Sequence, residues 1–259
     1  MTPISSPVYS VITATYNEAE NIQDFLRTVA GVLRGPQVAF EILVVDDNSP
    51  DGTGKLTREL SKELVEVRLI TRQGERGIGS AYLRGITEAK GEFVALLDAD
   101  FSHPPALLPD LFSLAQAGSL AIGSRFLKKG DFRTLWYRVA PTRVINSWHA
   151  FLLRSRVRDH SNGFLAIRRS ALLQLLAAGE RIGIRPFERT LYQLALIVLA
   201  RRSGVPIKEV AAPYEFRERG QTKIGIRAGV ALLFQEWLDS LRIARYARSA
   251  PPYQAAGTS

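Results

Sequence analysis

Phe93-Val94-Ala95-Leu96-Leu97-Asp98-Ala99-Asp100 reads as five apolar residues running into two carboxylates one residue apart. A run that is apolar at every position, not at alternate ones, belongs to a strand covered on both faces, and so to a parallel sheet with helices on either side. Ile42-Leu43-Val44-Val45 followed by Asp46-Asp47 repeats the arrangement upstream. In such sheets ligands bind beyond the carboxyl ends of the strands. Both aspartate pairs are therefore expected at one edge of the sheet, the edge that does the chemistry.

Outward from these two strands, the first half of the chain alternates β-branched runs with helical periodicity. Val8–Ala14, Glu41–Val45, Val67–Thr71 and Phe93–Leu97 are predicted strands, and Glu18–Leu33, Gly54–Leu64 and Ile78–Lys90 are predicted helices. Asn17 with Glu20 three residues on has the form of a helix N-cap and its capping-box partner. Asn48-Ser49-Pro50-Asp51-Gly52 is a turn by composition. Beyond Phe132 the pattern lengthens into amphipathic helices over Leu135–Leu153 and Phe187–Arg202, with a short strand at Gly163–Arg168 between them and another at Ile207–Val210. A last helix over Ile226–Tyr246 would set Ile226, Val230, Leu233, Phe234, Trp237 and Leu241 in one apolar stripe, followed by a tail over 250–259. These segments predict an α/β domain over 1–225 whose character changes near residue 125. An amphipathic helix over 226–249 would follow it.

Composition narrows the chemistry. The 259 residues are 46% hydrophobic, enough for a full core. There is no cysteine, which excludes disulfides and thiolate metal sites and leaves oxygen or histidine ligands for any metal. Neither a signal-peptide pattern at the start nor an apolar run of about 20 residues is present, so membrane contact is expected to be peripheral and the location cytoplasmic. The net charge of +9 is unevenly shared. Residues 1–125 hold 11 Lys+Arg against 16 Asp+Glu, a balance of −5, and residues 126–259 hold 23 against 9, a balance of +14. An acidic half beside a basic half suits a metal site facing a phosphate site, although solvated arginine-rich helices produce the same count.

Four motifs in fixed order carry a resemblance: Tyr16-Asn17-Glu18, Val44-Val45-Asp46-Asp47-Asn48-Ser49-Pro50-Asp51-Gly52-Thr53, Gly77-Ile78-Gly79-Ser80-Ala81-Tyr82 and Asp98-Ala99-Asp100-Phe101-Ser102-His103-Pro104. Together they resemble family 2 glycosyltransferases of the GT-A fold, in particular the dolichyl- or polyprenyl-phosphate mannosyltransferases. The likeness runs on through Gly123-Ser124-Arg125-Phe126, Arg138, Thr142-Arg143, Asn146, Asp159 and Arg217-x-x-Gly220-x-Thr222-Lys223, and so spans about 8–240. It implies a Rossmann-like, mostly parallel sheet and a Mg²⁺ or Mn²⁺ ion on Asp98 and Asp100 with Ser102 as a further polar ligand. Thr15, Glu18, Asp46, Asp47, Gly77, Gly79, Asp98 and Ala99 would line the nucleotide-sugar pocket. Asp100, Arg125, Arg217 and Lys223 would carry catalysis, and Arg125, Arg138, Thr142, Arg217 and Lys223 would meet the acceptor phosphate. His103 would be structural. The implied reaction passes a hexose, with inversion, from GDP-mannose to a polyprenyl phosphate at the cytoplasmic face of an anionic membrane, with or without a membrane-anchoring subunit; the 1–125 half of the catalytic domain would take nucleotide and metal, and the 126–225 half the acceptor.

Two departures touch the second half: Leu165 stands where close relatives usually carry arginine, and Thr190 where they usually carry glutamate. UDP-glucose therefore stands beside GDP-mannose as a donor. A nucleotidyltransferase is disfavoured by the lack of a glycine-rich basic loop near the start. A basic binding module is disfavoured by the lack of a nucleic-acid motif, and no nucleic-acid partner is expected.

Overall fold

A computed structural model describes residues 7–35, 38–127, 136–188, 191–212 and 237–246. The chain runs β1 (Tyr9–Thr15), α1 (Ile22–Arg34), β2 (Phe40–Asp46), α2 (Thr53–Leu60), β3 (Val67–Thr71), α3 (Ile78–Glu88) and β4 (Phe93–Leu96). It continues through α4 (Leu108–Gln116), β5 (Leu120–Ser124), α5 (Trp136–Leu153), β6 (Leu165–Arg168), α6 (Arg169–Arg181), α7 (Tyr192–Arg202) and β7 (Ile207–Ala211). Residues 237–246 form a further helix, α8. The described strands make one sheet in the order β3-β2-β1-β4-β6-β5-β7.

The continuous apolar runs behave as their composition requires. Every residue of β2, β4 and β5 is buried, and the two faces of the sheet carry separate apolar clusters, Ile12, Leu43, Val45, Val94 and Leu96 on one side and Val11, Ile42, Val44, Ala95 and Leu97 on the other. Fully burying one such aliphatic side chain contributes about 1.5–3 kcal/mol. β1 lies between β2 and β4, parallel to both, so the strand order reverses at β1 and opens a crevice at the carboxyl ends of these three strands.

β6 runs antiparallel to both β4 and β5. Because of that reversal the residues before β6, 159–164, reach the same edge as the residues after β4 and β5. The sheet is thus mostly parallel, as expected, with one reversed strand. β5, α4 and α6 are additions to the elements anticipated from periodicity.

Asn17 does not cap a helix. It adopts a left-handed φ of 59°, and α1 starts only at Ile22. The backbone N–H groups of Asn17, Glu18 and Ala19 donate to Ser49 Oγ, Thr53 Oγ1 and Asp51 Oδ2. The turn after β2 thus takes the donors that a cap would have used, and the two strand-to-helix turns are locked together.

α8 packs through Asp239, Ser240 and Ala244, which are buried, while Trp237 is 44% exposed. The expected apolar stripe through Trp237 and Leu241 is therefore not the buried face of this segment. The Trp148 indole N–H of α5 donates to Ser240 Oγ at 3.3 Å, and Arg202 of α7 donates to the Tyr246 carbonyl at 2.6 Å. Residues 226–236 of the expected helix lie outside the described residues.

Candidate active site

At the end of β1 and β2 the acids are fully engaged. Asp46 is buried and accepts the Thr15 hydroxyl at 3.0 Å together with the Ser49 amide and hydroxyl. Asp47 accepts Arg72 Nε at 2.7 Å and the Gly77 amide at 2.9 Å. Arg72 is buried and also donates to the Ser80 hydroxyl, to Glu75 and to the Gly77 carbonyl. Asp47 and Arg72 thereby fasten the loop between β3 and α3. Gly77 supplies the bend there with a φ of 134°, which a side chain rarely adopts. Tyr16 lies beneath the Arg76 guanidinium, 4.6 Å from its ring centre. Glu18 accepts an Asn21 amide hydrogen at 3.1 Å, and Gly79 and Ala99 are buried in the walls of the crevice.

The acids after β4 are differently placed. The Asp98 carboxylate accepts the Tyr82 hydroxyl at 2.9 Å, and its amide donates to His103 Nδ1 at 2.9 Å. With Nδ1 accepting, the His103 proton is on Nε2, which donates to the Asn162 carbonyl at 2.8 Å. His103 is consequently neutral, and the 3.9 Å approach of Nδ1 to Asp98 Oδ2 is not an ion pair. Its buried ring stacks on Phe164, and its two bonds join the Asp98 loop to the segment before β6. Asp100 folds back to accept the Ser102 amide at 3.0 Å. Between them Phe101 turns the chain with a φ of 62° and is braced edge-on by Phe25.

Facing these acids is the segment before β6. Asp159 is fully buried and holds Arg125 bidentately, Nε at 2.7 Å and Nη2 at 2.8 Å, while accepting the Arg125 and Ser161 amides. Asn146 of α5 donates to the Thr142 carbonyl and to the Ser161 hydroxyl and accepts the His160 amide. Gln193 of α7 accepts the Gly163 amide and donates to the Asp159 carbonyl. Asn162 donates to the Gly123 carbonyl at 2.9 Å. The segment is therefore braced from α5, α7, β5 and the loop after β4. Asp98, Ser161, Asn162, Gly163, Tyr192 and Gln193 line a cavity of about 210 Å³.

The structure thus brings Thr15, Asp46, Asp47, Gly77, Asp98, Asp100 and Arg125 to one edge. Arg217 and Lys223 lie outside the described residues, as do Thr190 and the side chain of Arg138, while Thr142 is described in α5. Arg72, Tyr82, Tyr192 and Gln193 were not singled out for the site from sequence. Tyr82 closes a quoted motif, but nothing in the spacing announces its bond to Asp98.

Asp98 and Asp100 fit a divalent cation. They are hard oxygen donors one residue apart, and only Tyr82 donates to the Asp98 carboxylate among the described residues. No group of three or more His, Asp or Glu side chains able to hold a metal occurs among those residues. Two carboxylates alone suit a cation whose other positions are filled by a ligand diphosphate and water. His103, with Nδ1 occupied, does not fit as a ligand.

Residues 10–176 match the family described as Glycosyl transferase family 2. The chain is 32% identical over 219 residues to a dolichol-phosphate mannosyltransferase of Pyrococcus furiosus, a match covering 83% of this chain and 58% of that protein. It is 36% identical over 221 residues to a polyprenol monophosphomannose synthase of Mycolicibacterium smegmatis, covering 83% and 80%. Among solved structures, the mannosyltransferase PcManGT from Pyrobaculum calidifontis in complex with GDP-Man and Mn²⁺ shares the fold with a TM-score of 0.57 at 20% identity, over 94% of this chain and 74% of that one.

Proposed function

Since the chain belongs to glycosyl transferase family 2, we propose that it transfers a hexose, mannose from GDP-mannose in the leading reading, to a polyprenyl phosphate of the dolichyl type. The observation that carries this reading is the lightly partnered Asp98 carboxylate, which lines a cavity with Ser161, Asn162 and Gln193 beyond the switch point of the sheet, with Asp100 two residues on. The names of the relatives support the lipid phosphate and mannose. UDP-glucose is the second reading, since the departures at Leu165 and Thr190 loosen the tie to mannose.

In the proposed reaction an oxygen of the lipid phosphate forms a bond to the anomeric carbon as the bond from that carbon to the diphosphate breaks, with inversion. The attacking phosphate is already anionic, so no general base is needed. A Mg²⁺ or Mn²⁺ ion on Asp98 and Asp100, with Ser102 nearby, supplies positive charge to the departing diphosphate when bound. The protein's own task is to align two anions that repel each other. Arg125 is oriented for this by Asp159, and Arg138, Thr142, Arg217 and Lys223 complete the phosphate-binding side. Thr15, Glu18, Asp46, Asp47, Gly77 and Gly79 shape the nucleotide side, with Asp46 and Asp47 acting through the turns they fasten.

The acceptor sits in a membrane, and the outer face of α5 is suited to meet it. Residues 136–158 contain no Asp or Glu. Val144 is 68% and Phe151 77% exposed, Trp148 stacks on Trp237 and lies tilted against Phe151, and Arg143, Arg154, Arg156 and Arg158 of the same stretch of chain are exposed. Among the described residues no helix is long and apolar enough to cross a membrane. The reading is therefore peripheral attachment to an anionic cytoplasmic face, with or without an anchoring subunit.

Calorimetric titration of GDP-mannose and UDP-glucose, with and without Mn²⁺, tests the proposal, followed by transfer of labelled sugar to polyprenyl phosphate. Metal-dependent binding of GDP-mannose and a labelled lipid product are expected; binding that ignores the metal rejects the site. Asp100→Ala is expected to abolish transfer with its thermal melt unchanged, because a metal ligand on a loop contributes mainly to the leaving group.

A further inference from the structure

The carboxylates at the active edge differ in how firmly they are held. Asp46, Asp47 and Asp159 are each satisfied by several donors from turns or arginine. Asp98 is held by one: the hydroxyl of Tyr82, 2.9 Å from Oδ1, is the only hydrogen-bond donor to its carboxylate among the described residues. His103 cannot help, because its nearer nitrogen is already accepting the Asp98 amide. An aspartate side chain with a single anchor takes its rotamer from that anchor.

Tyr82 is well fixed to serve. It lies on α3 with its side chain fully buried, and its ring packs on that of Tyr192 with centroids 5.4 Å apart. Tyr192 on α7 donates to the Gly163 carbonyl at 3.2 Å. A Cβ at position 163 would lie 2.4 Å from the Tyr192 hydroxyl, so the pair fits only against glycine.

We propose that Tyr82 is the positioning residue of the metal carboxylate: its hydroxyl holds Asp98 Oδ1 so that Oδ2 is presented to the cation, and Tyr192 ties this grip to the 159–163 segment. The inference rests on the reading of Asp98 as a metal ligand. It explains why a tyrosine hydroxyl is buried within a helix that otherwise packs through apolar atoms. The hydroxyl offers a neutral donor, which orients the carboxylate without cancelling the negative charge the cation needs.

The test compares Tyr82→Phe, Tyr9→Phe and Asp98→Asn in the full chain, titrating Mn²⁺ in the presence of GDP, or of UDP if GDP does not bind, and reading free Mn²⁺ by electron paramagnetic resonance. Thermal melts run alongside. Tyr82→Phe keeps the ring and its packing and is expected to fold and to weaken Mn²⁺ binding about tenfold or more, the size of a lost hydrogen bond to a charged group. Tyr9→Phe deletes a buried tyrosine hydroxyl that accepts from Gln116, away from Asp98, and is expected to leave Mn²⁺ affinity within about threefold. Asp98→Asn removes the ligand itself and should abolish the binding. Unchanged Mn²⁺ affinity in Tyr82→Phe, or an equal loss in both tyrosine variants, overturns the positioning role provided Asp98→Asn has its effect. If Asp98→Asn binds Mn²⁺ normally, the metal reading falls and this inference with it.

Discussion

At the scale of the residue, the site's charges divide into those that hold the protein together and those left for a ligand. Asp159 belongs to the first group, since its carboxylate neutralises Arg125 and accepts two backbone amides while fully buried. Asp159→Ala leaves a guanidinium without its partner, and the expected cost is about 3–5 kcal/mol, seen as a lower urea midpoint with an unchanged slope. His149 and His160 make a second buried pair, edge to face with ring centroids 6.0 Å apart. Among the described residues, His149 Nδ1 and both ring nitrogens of His160 have no hydrogen-bond partner. Burial lowers their pKa values to about 4 and about 3. The unfolded chain takes up protons on both as the pH falls through about 6.5, whereas the folded chain does not. Stability is therefore intact above that pH and declines on acidification toward about pH 4, by an amount on the order of a few kcal/mol. His160→Phe should flatten that decline, as denaturation curves at about pH 7 and about pH 4.5 will show.

At the scale of the element, the loop from β3 to α3 depends on one buried cation. Arg72 gathers Asp47, Glu75, Ser80 and the Gly77 carbonyl around itself. Arg72→Met removes that centre and strands the Asp47 charge. Hydrogen exchange over residues 73–80 should rise by at least tenfold, the factor corresponding to about 1.4 kcal/mol of lost local stability, and nucleotide affinity should fall with it. The elements legible in the sequence were those with a long, one-sided signal. β2 and β4 are apolar throughout, and α1, α2 and α3 follow with the expected spacing. β5 escaped notice because Leu-Ala-Ile-Gly-Ser is short and ends in small residues. Asn17 has the right chemistry for a cap but loses its partners to the Ser49–Thr53 turn, a competitor far away in sequence. The aspartates of the site were visible because they terminate apolar strands. Tyr82, Arg72 and Gln193 were not, because each acts on a residue that only folding brings near.

At the scale of the whole molecule, the division between an acidic first half and a basic second half falls across a single sheet, since β6 and β7 from the later half pair with β4 and β5. In that later half Val144, Phe151 and Trp237 are exposed, as are Arg143, Arg154, Arg156 and Arg158. Each basic group near anionic lipid adds roughly 1 kcal/mol. Sedimentation with vesicles should show binding that rises with phosphatidylglycerol content and falls with salt, and Phe151→Asp should weaken it without altering the melt. Equal binding of Phe151→Asp and the parent chain would remove this face from the membrane. The reversed strand also has a consequence for synthesis. β6 lies between β4 and β5 in the sheet but follows both in the chain. While the ribosome extends the polypeptide, the Phe93–Leu96 strand stays an unpaired apolar edge until Arg168 has emerged. The nascent protein thus carries a sticky border for as long as Asp98 and Asp100 remain unframed, and vectorial folding, rather than the finished enzyme, is where it is most exposed to misassembly.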